Sequence, residues 1–326
     1  MGRVLVTGAA GFIGAHCCRA LLEQGSRVVG LDNFDPFYDR ALKEPALSEL
    51  RGWPRFGFVE GDIRDAALVG GLVREADSVV HLAARAGVRP SIEDPELYMS
   101  INVSGTVTLL EACRRAGLRR VVFGSSSSVY GDVTPAPFRE DAPAGDPISP
   151  YAATKRAGEL LCNVYAALHG FRIAGLRLFT VYGPRQRPDL AIHRFTRLLA
   201  AGQPIQQFGD GSSERDYTHI DDILKGVLGA LRWLEQESPA FELFNLGESH
   251  TVRLDRLIAL IAEALGVVPM VERLPSQPGD LRRTFADTSK ARRLLGYDPR
   301  TTIEDGIRGF VDWYERTRGK ASRPVT

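Results

Sequence analysis

Apolar residues gather in short runs in the first half of the chain, at Val4–Thr7, Val28–Leu31, Gly57–Val59, Val79–Leu82, Val121–Gly124 and Ile173–Leu178. Helical spacing fills the gaps, most clearly at Phe12–Gln24, Leu97–Ala116 and Tyr151–His169. Near-continuous apolar runs alternating with amphipathic stretches predict a parallel sheet covered by helices on both faces, an α/β doubly wound fold of Rossmann type.

The second half loses this rhythm. Gly183–Pro188 breaks the pattern, Leu190–Ala201 and Asp222–Glu237 read as helices, and Gly209–Ser213 as a loop. Phe244–Leu246 reads as a last short strand. Leu254, Leu257, Ile258, Ile261 and Leu265 share one helical face, Gln277–Asp280 reads as a turn, and Ile303–Arg316 as a terminal helix before a polar tail from Arg318 that should fray. The expected organisation is a Rossmann domain over 1–180, with returning segments near 215–250. A smaller C-terminal α/β lobe over 181–326 interleaves with it.

Composition narrows the classes of function. The 326 residues are 44 % apolar and 25 % charged, with a formal net charge of +1. That allows a large core and gives no electrostatic pull toward nucleic acid or a membrane surface. No apolar run approaches the roughly 20 residues of a membrane span. The first residues enter a strand-like run without a basic-then-apolar leader, which predicts the cytoplasm. Cys17, Cys18, Cys113 and Cys162 lack metal-ligand spacing and read as reduced packing residues. The six histidines are scattered and read as structural, and no metal is expected.

Chemistry begins at the first strand end, Thr7-Gly8-Ala9-Ala10-Gly11-Phe12-Ile13-Gly14. Glycines at 8, 11 and 14 between a strand and a helix supply the tight turn and the close backbone approach that a dinucleotide's phosphates need. Asp32, followed by Asn33, ends the second strand. Its carboxylate can accept from ribose hydroxyls and would repel a 2′-phosphate, which favours NAD over NADP. Asp62 and Ile63 follow the third strand, where adenine would lie. Leu82, Ala83 and Ala84 follow the fourth and leave room for the cofactor.

Tyr151 and Lys155 lie one helical turn apart on one face. A tyrosine titrates near pH 10, so acting as a base at neutral pH needs its phenolate stabilised by about three units, roughly 4 kcal/mol. A nearby ammonium does this. The hydroxyls Ser125, Ser126, Ser127 and Ser128 end the fifth strand, at the carboxyl edge where such sheets bind ligands.

Together, Thr7–Gly14, Asp62, Leu82–Ala84, Ser125–Gly131, Tyr151–Lys155 and Arg177–Pro184 resemble the extended short-chain dehydrogenase/reductase superfamily over nearly the whole chain. Ala86–Ser91, Phe179–Pro184 and Arg187–Ala191 resemble the nucleotide-sugar 4-epimerases, the UDP-glucuronate branch above all. The resemblance implies NAD that stays bound, a UDP-sugar substrate, and 4-epimerisation through a transient 4-keto sugar. It implies Tyr151 as the base, Ser126 orienting the reacting oxygen, and Lys155 tuning Tyr151. It further implies Phe179 at the cofactor. Arg89, Ser127, Ser128, Thr180 and Arg187 would meet the sugar, and Arg215, Gln277 and Asp280 the nucleotide. A homodimer through Leu97–Ala116 and Tyr151–His169 is implied as well. One departure is Arg85, where the family pattern leads one to expect glutamine.

Related dehydratases carry an Asp-Glu pair at the positions of Ser127 and Ser128, and the decarboxylases carry Glu at that of Ser128. The absent acids argue against both reactions. UDP-glucose or UDP-N-acetylglucosamine epimerisation, a related reductase or dehydratase, and a non-catalytic NAD-binding regulator remain alternatives.

Overall fold

The computed structural model describes residues 2–132, 134–142, 146–236, 238–275 and 283–321. The first half is β1 (Arg3–Thr7), α1 (Phe12–Glu23), β2 (Arg27–Asp32), α2 (Glu44–Arg51), β3 (Phe56–Glu60), α3 (Ala66–Val73) and β4 (Ser78–His81). It continues through α4 (Val88–Glu93), α5 (Pro95–Tyr98), α6 (Gly105–Ala116), β5 (Arg120–Ser126), α7 (Pro150–His169) and β6 (Arg172–Leu178). The second half holds β7 (Thr180–Tyr182), α8 (Ala191–Ala200), β8 (Ile205–Phe208), β9 (Glu214–Arg215), β10 (Tyr217–His219) and α9 (Ile220–Trp233). After these come β11 (Ala240–Leu246), β12 (Val252–Arg253), α10 (Leu254–Leu265), β13 (Val271–Leu274), α11 (Ser289–Leu295) and α12 (Ile303–Ala321).

Seven strands form one parallel sheet in the order β11-β6-β5-β4-β1-β2-β3. Side chains alternate between its two faces. Val4, Val6, Val80, Val122 and Leu176 enter one core with α1, α9 and α11, while Leu5, Val79, Val121, Phe123 and Ile173 enter the other with α3, α6 and α7. Burial on both faces is why these strands read as unbroken apolar runs. A third core, built by α8, α10 and α12, forms the smaller lobe. No described helix is long and apolar enough to cross a membrane.

The expected last strand proves to be the seven-residue β11, paired in parallel with β6. The expected helix Leu97–Ala116 is present, with a π-helical segment inside it. α5 runs through Tyr98, and a π-turn at Met99–Ser104 precedes α6. The short strands β7, β8, β9, β10, β12 and β13 carried no readable pattern, since they pair two by two outside the main sheet. The helix at Ile303 persists to Ala321, and the residues of the tail beyond it lie outside those described, as does the Gln277–Asp280 turn.

Candidate active site

β1 ends in a turn whose geometry demands glycine twice. Gly8 has φ +74°, and a Cβ on Gly14 would stand 1.9 Å from the Gly8 carbonyl oxygen. α1 therefore starts hard against the strand end. Its N-cap is Gly11, with no side chain capping the first turn. The leading N–H groups are left for an anion. Beside this turn the Asp32 carboxylate accepts from the backbone N–H of Ala10 at 3.0 Å and of Phe34 at 2.8 Å. Those bonds fix it at the mouth of β2 with lone pairs to spare. Asp62 is held by Arg64 and Asn33, and the Arg64 hydrogen bond is the chief cause that brings its pKa down to about 2.

These residues line one cleft of about 480 Å3 along the carboxyl edge of the sheet. All sixteen positions expected at the cofactor line it: Gly8, Gly11, Phe12, Ile13, Gly14, Asp32, Asn33, Asp62, Ile63, Leu82, Ala83, Ala84, Ser125, Tyr151, Lys155 and Phe179. An open helix N-terminus, a fixed carboxylate twenty-odd residues on, and a cleft joining them fit a dinucleotide.

Ser126, Tyr151 and Lys155 line the cleft as well. Ser126 Oγ accepts from Ser128 N–H at 3.2 Å and from Ser128 Oγ at 3.0 Å, which leaves its own proton for the Tyr151 phenol oxygen. Burial pushes the Tyr151 phenol up, against the pull of the Ser126 hydrogen bond and the charge of Arg187. Lys155 donates to the Gly124 carbonyl at 2.8 Å, and burial brings its pKa down to about 8. Arg187, from the loop after β7, is a cation whose charge lowers the Tyr151 phenol. α7 is locked beneath the site by Glu159, whose carboxylate accepts from Ser125 Oγ at 2.6 Å.

Ser127, Ser128, Thr180, Arg187 and Arg215 line the same cleft. Arg187 is 20 % exposed and forks onto Asp189 with bonds of 3.0 and 2.9 Å. Arg89 is not among the described residues that line the cleft. It lies in the first turn of α4, with its guanidinium 5.5 Å from the centre of the Phe208 ring. Gln277 and Asp280 lie outside the described residues.

Several lining residues escaped the sequence reading. Asp35, Phe37, Tyr38 and Lys43 close one side of the cleft. The aromatic and acidic run Phe34-Asp35-Pro36-Phe37-Tyr38 directly after Asp32 was the available signal. Asn102, in the π-turn, bonds the Arg85 carbonyl and Thr154 Oγ1, both at 3.0 Å, and so ties the β4 loop to α7. A one-residue widening of a helix leaves no mark in hydrophobic spacing.

The NAD dependent epimerase/dehydratase family matches residues 4–247. The chain belongs to this family. It is 40 % identical to the UDP-glucuronate 4-epimerase of Thermodesulfobacterium geofontis, over 96 % of each chain. The crystal structure of UDP-glucuronic acid 4-epimerase from Bacillus cereus, in complex with UDP-glucuronic acid and NAD, superposes with a TM-score of 0.91 at 38 % identity, covering 97 % of this chain and 99 % of that one. DesIV, a dTDP-glucose 4,6-dehydratase from Streptomyces venezuelae, gives 0.89 at 34 % identity over 98 % of each, and also holds NAD. Within this family, then, one fold carries both reactions, and the side chains around the reacting sugar decide between them.

Proposed function

We propose that this chain is an NAD-dependent UDP-glucuronate 4-epimerase that forms UDP-galacturonate through a transient 4-keto sugar. The observation that carries this reading is a dinucleotide cleft lined by Ser126, Tyr151 and Arg187, with Ser126 and Arg187 both acting on the Tyr151 phenol, and with hydroxyls at Ser127 and Ser128 where elimination would need carboxylates.

Tyr151 takes the proton of the sugar's 4-hydroxyl and later returns it. Ser126 donates to the reacting oxygen by turning its hydroxyl from the Tyr151 phenol, while its Oγ goes on accepting from Ser128. NAD, when bound, would supply the acceptor for the carbon 4 hydride, and the flat 4-keto sugar would turn over in the cleft before the hydride returns to its other face. Asp32 and the first turn of α1 hold the adenosine ribose and the diphosphate, and Lys155 the nicotinamide ribose. Arg187, Thr180, Ser127 and Ser128 hold the sugar carboxylate. A 4-keto-uronate is a β-keto acid, so a firm grip on that carboxylate also restrains loss of carbon dioxide. Arg215 serves the nucleotide.

The working form is a homodimer in the cytoplasm. Leu160, Val164 and Leu168 make an exposed apolar stripe at successive turns of α7, and a second copy offers the same stripe back. Four buried free thiols suit a reducing compartment.

The test is incubation with UDP-glucuronate, UDP-glucose and UDP-N-acetylglucosamine without added NAD(H), followed by separation of the products. UDP-galacturonate with little carbon dioxide is expected. Conversion of the neutral sugars alone would overturn the substrate assignment, and a dehydrated or decarboxylated product would overturn the reaction.

A further inference from the structure

The turn after β1 is flanked by two loops, because β2 and β4 lie on opposite sides of β1 in the sheet. The loop after β2 carries Asp35, and the loop after β4 carries Arg85. Both residues line the cleft. Arg85 Nη1 donates to Asp35 Oδ1 at 2.7 Å and to Oδ2 at 3.0 Å, with the side chains 19 % and 25 % exposed. A link between these loops bridges the dinucleotide cleft from one wall to the other.

Each half of the link has a fixed base. Arg85 N–H donates to Asn102 Oδ1 at 2.8 Å, and its carbonyl accepts from Asn102 Nδ2. Asp35 N–H donates to Asn33 Oδ1 at 3.0 Å, and the Asp35 carbonyl accepts from Lys43 Nζ at 2.8 Å. Phe37 extends the bridge. Its ring centroid lies 5.4 Å from the Arg85 guanidinium and 5.2 Å from that of Arg187, so one aromatic ring is wedged between the β4 loop and the sugar end of the cleft.

We propose that Asp35 and Arg85 form a clasp across the cleft that retains NAD between turnovers, an inference that rests on the epimerase reading above. A reaction without net redox needs its electrons to stay in the cleft until the keto sugar has been reduced. Slow cofactor release secures that without touching the chemical step. Asp35 and Arg85 are positioning residues: they hold one loop against the other. The clasp lies on loops, so opening it leaves both sheet cores intact.

The experiment follows bound NAD per protomer after free cofactor is removed by desalting, with acid release and detection by mass. Thermal melts confirm that each variant is folded. D35N and R85Q should each lose NAD about tenfold faster than the wild type, as expected for one charge-assisted pair. D35N/R85Q should be no worse than either single variant within about twofold, and the exchanged pair D35R/R85D should restore retention. Wild-type retention in both single variants would overturn the clasp. Fast loss in R85Q alone would overturn it too, since Arg85 would then be touching the cofactor itself. Wild-type protein that carries no NAD and takes none up would overturn the cofactor reading, and the clasp with it.

Discussion

Glu159 and Arg177 face each other beneath the active site as a two-pronged ion pair. Nε to Oε1 and Nη2 to Oε2 each measure 2.8 Å, and the side chains are 0 % and 1 % exposed. Through Ser125 the same carboxylate joins α7, which carries Tyr151 and Lys155, to β5, which carries Ser126.

Removing the Glu159 carboxylate leaves the Arg177 charge buried without its ion-pair partner. Glu159→Gln should therefore lower stability by about 3–5 kcal/mol, read by urea unfolding, and the apolar pair Glu159→Leu/Arg177→Met should cost less. Burial alone would push the Glu159 carboxyl up, but its bonds to Arg177 and Ser125 hold it below the ordinary value. A depressed carboxylate contributes fully above its unfolded pKa of about 4.5, and the contribution fades as pH falls through the folded value. The wild type should lose stability in that acid range more steeply than Glu159→Gln.

Tyr151→Phe keeps the ring and removes the phenol. Turnover should fall by at least a few hundredfold, the usual scale for losing an acid–base group, while NAD content stays near that of the wild type. Near-normal turnover would take Tyr151 out of the chemistry.

Arg187 has two consequences that one variant separates. As a cation beside the phenol it lowers the Tyr151 pKa, so Arg187→Ala should shift the rising limb of the pH–rate profile to higher pH, while Arg187→Lys should restore much of it. As a carboxylate partner it should favour UDP-glucuronate over UDP-glucose by roughly one to two orders of magnitude, a preference lost in Arg187→Ala. That variant should also release more carbon dioxide. Equal loss on both sugars would assign Arg187 to the nucleotide or the fold.

His81 is buried between Thr7 Oγ1 at 2.8 Å and Thr106 Oγ1 at 3.1 Å. Burial, reinforced by the Lys155 charge, brings its pKa down to about 3. Below about pH 6.5 the unfolded chain takes up a proton that the folded one refuses. This residue alone should therefore cost about 1.4 kcal/mol of stability per pH unit between there and pH 3. His81→Gln should flatten that slope in urea titrations at pH 5 and pH 7.

The local parts of this protein were legible from residue order. Strands buried on both faces must be apolar throughout, a phosphate turn must be glycine where a Cβ would strike the backbone, and Tyr151 and Lys155 share a helical face by spacing alone. So the main sheet, the cradle and the reactive pair could be read in one dimension. Tertiary structure decided what depends on contacts distant in sequence. Arg187 comes to Tyr151 from the loop after β7, Arg85 reaches Asp35 across fifty residues, and Glu159 finds Arg177 on the next strand. Asn102, in a π-helical segment, joins the β4 loop to α7 through Arg85 and Thr154. The physical reason is that spacing encodes only the periodicity of a single element. Which charge meets which ring or carboxylate is set by how the elements pack.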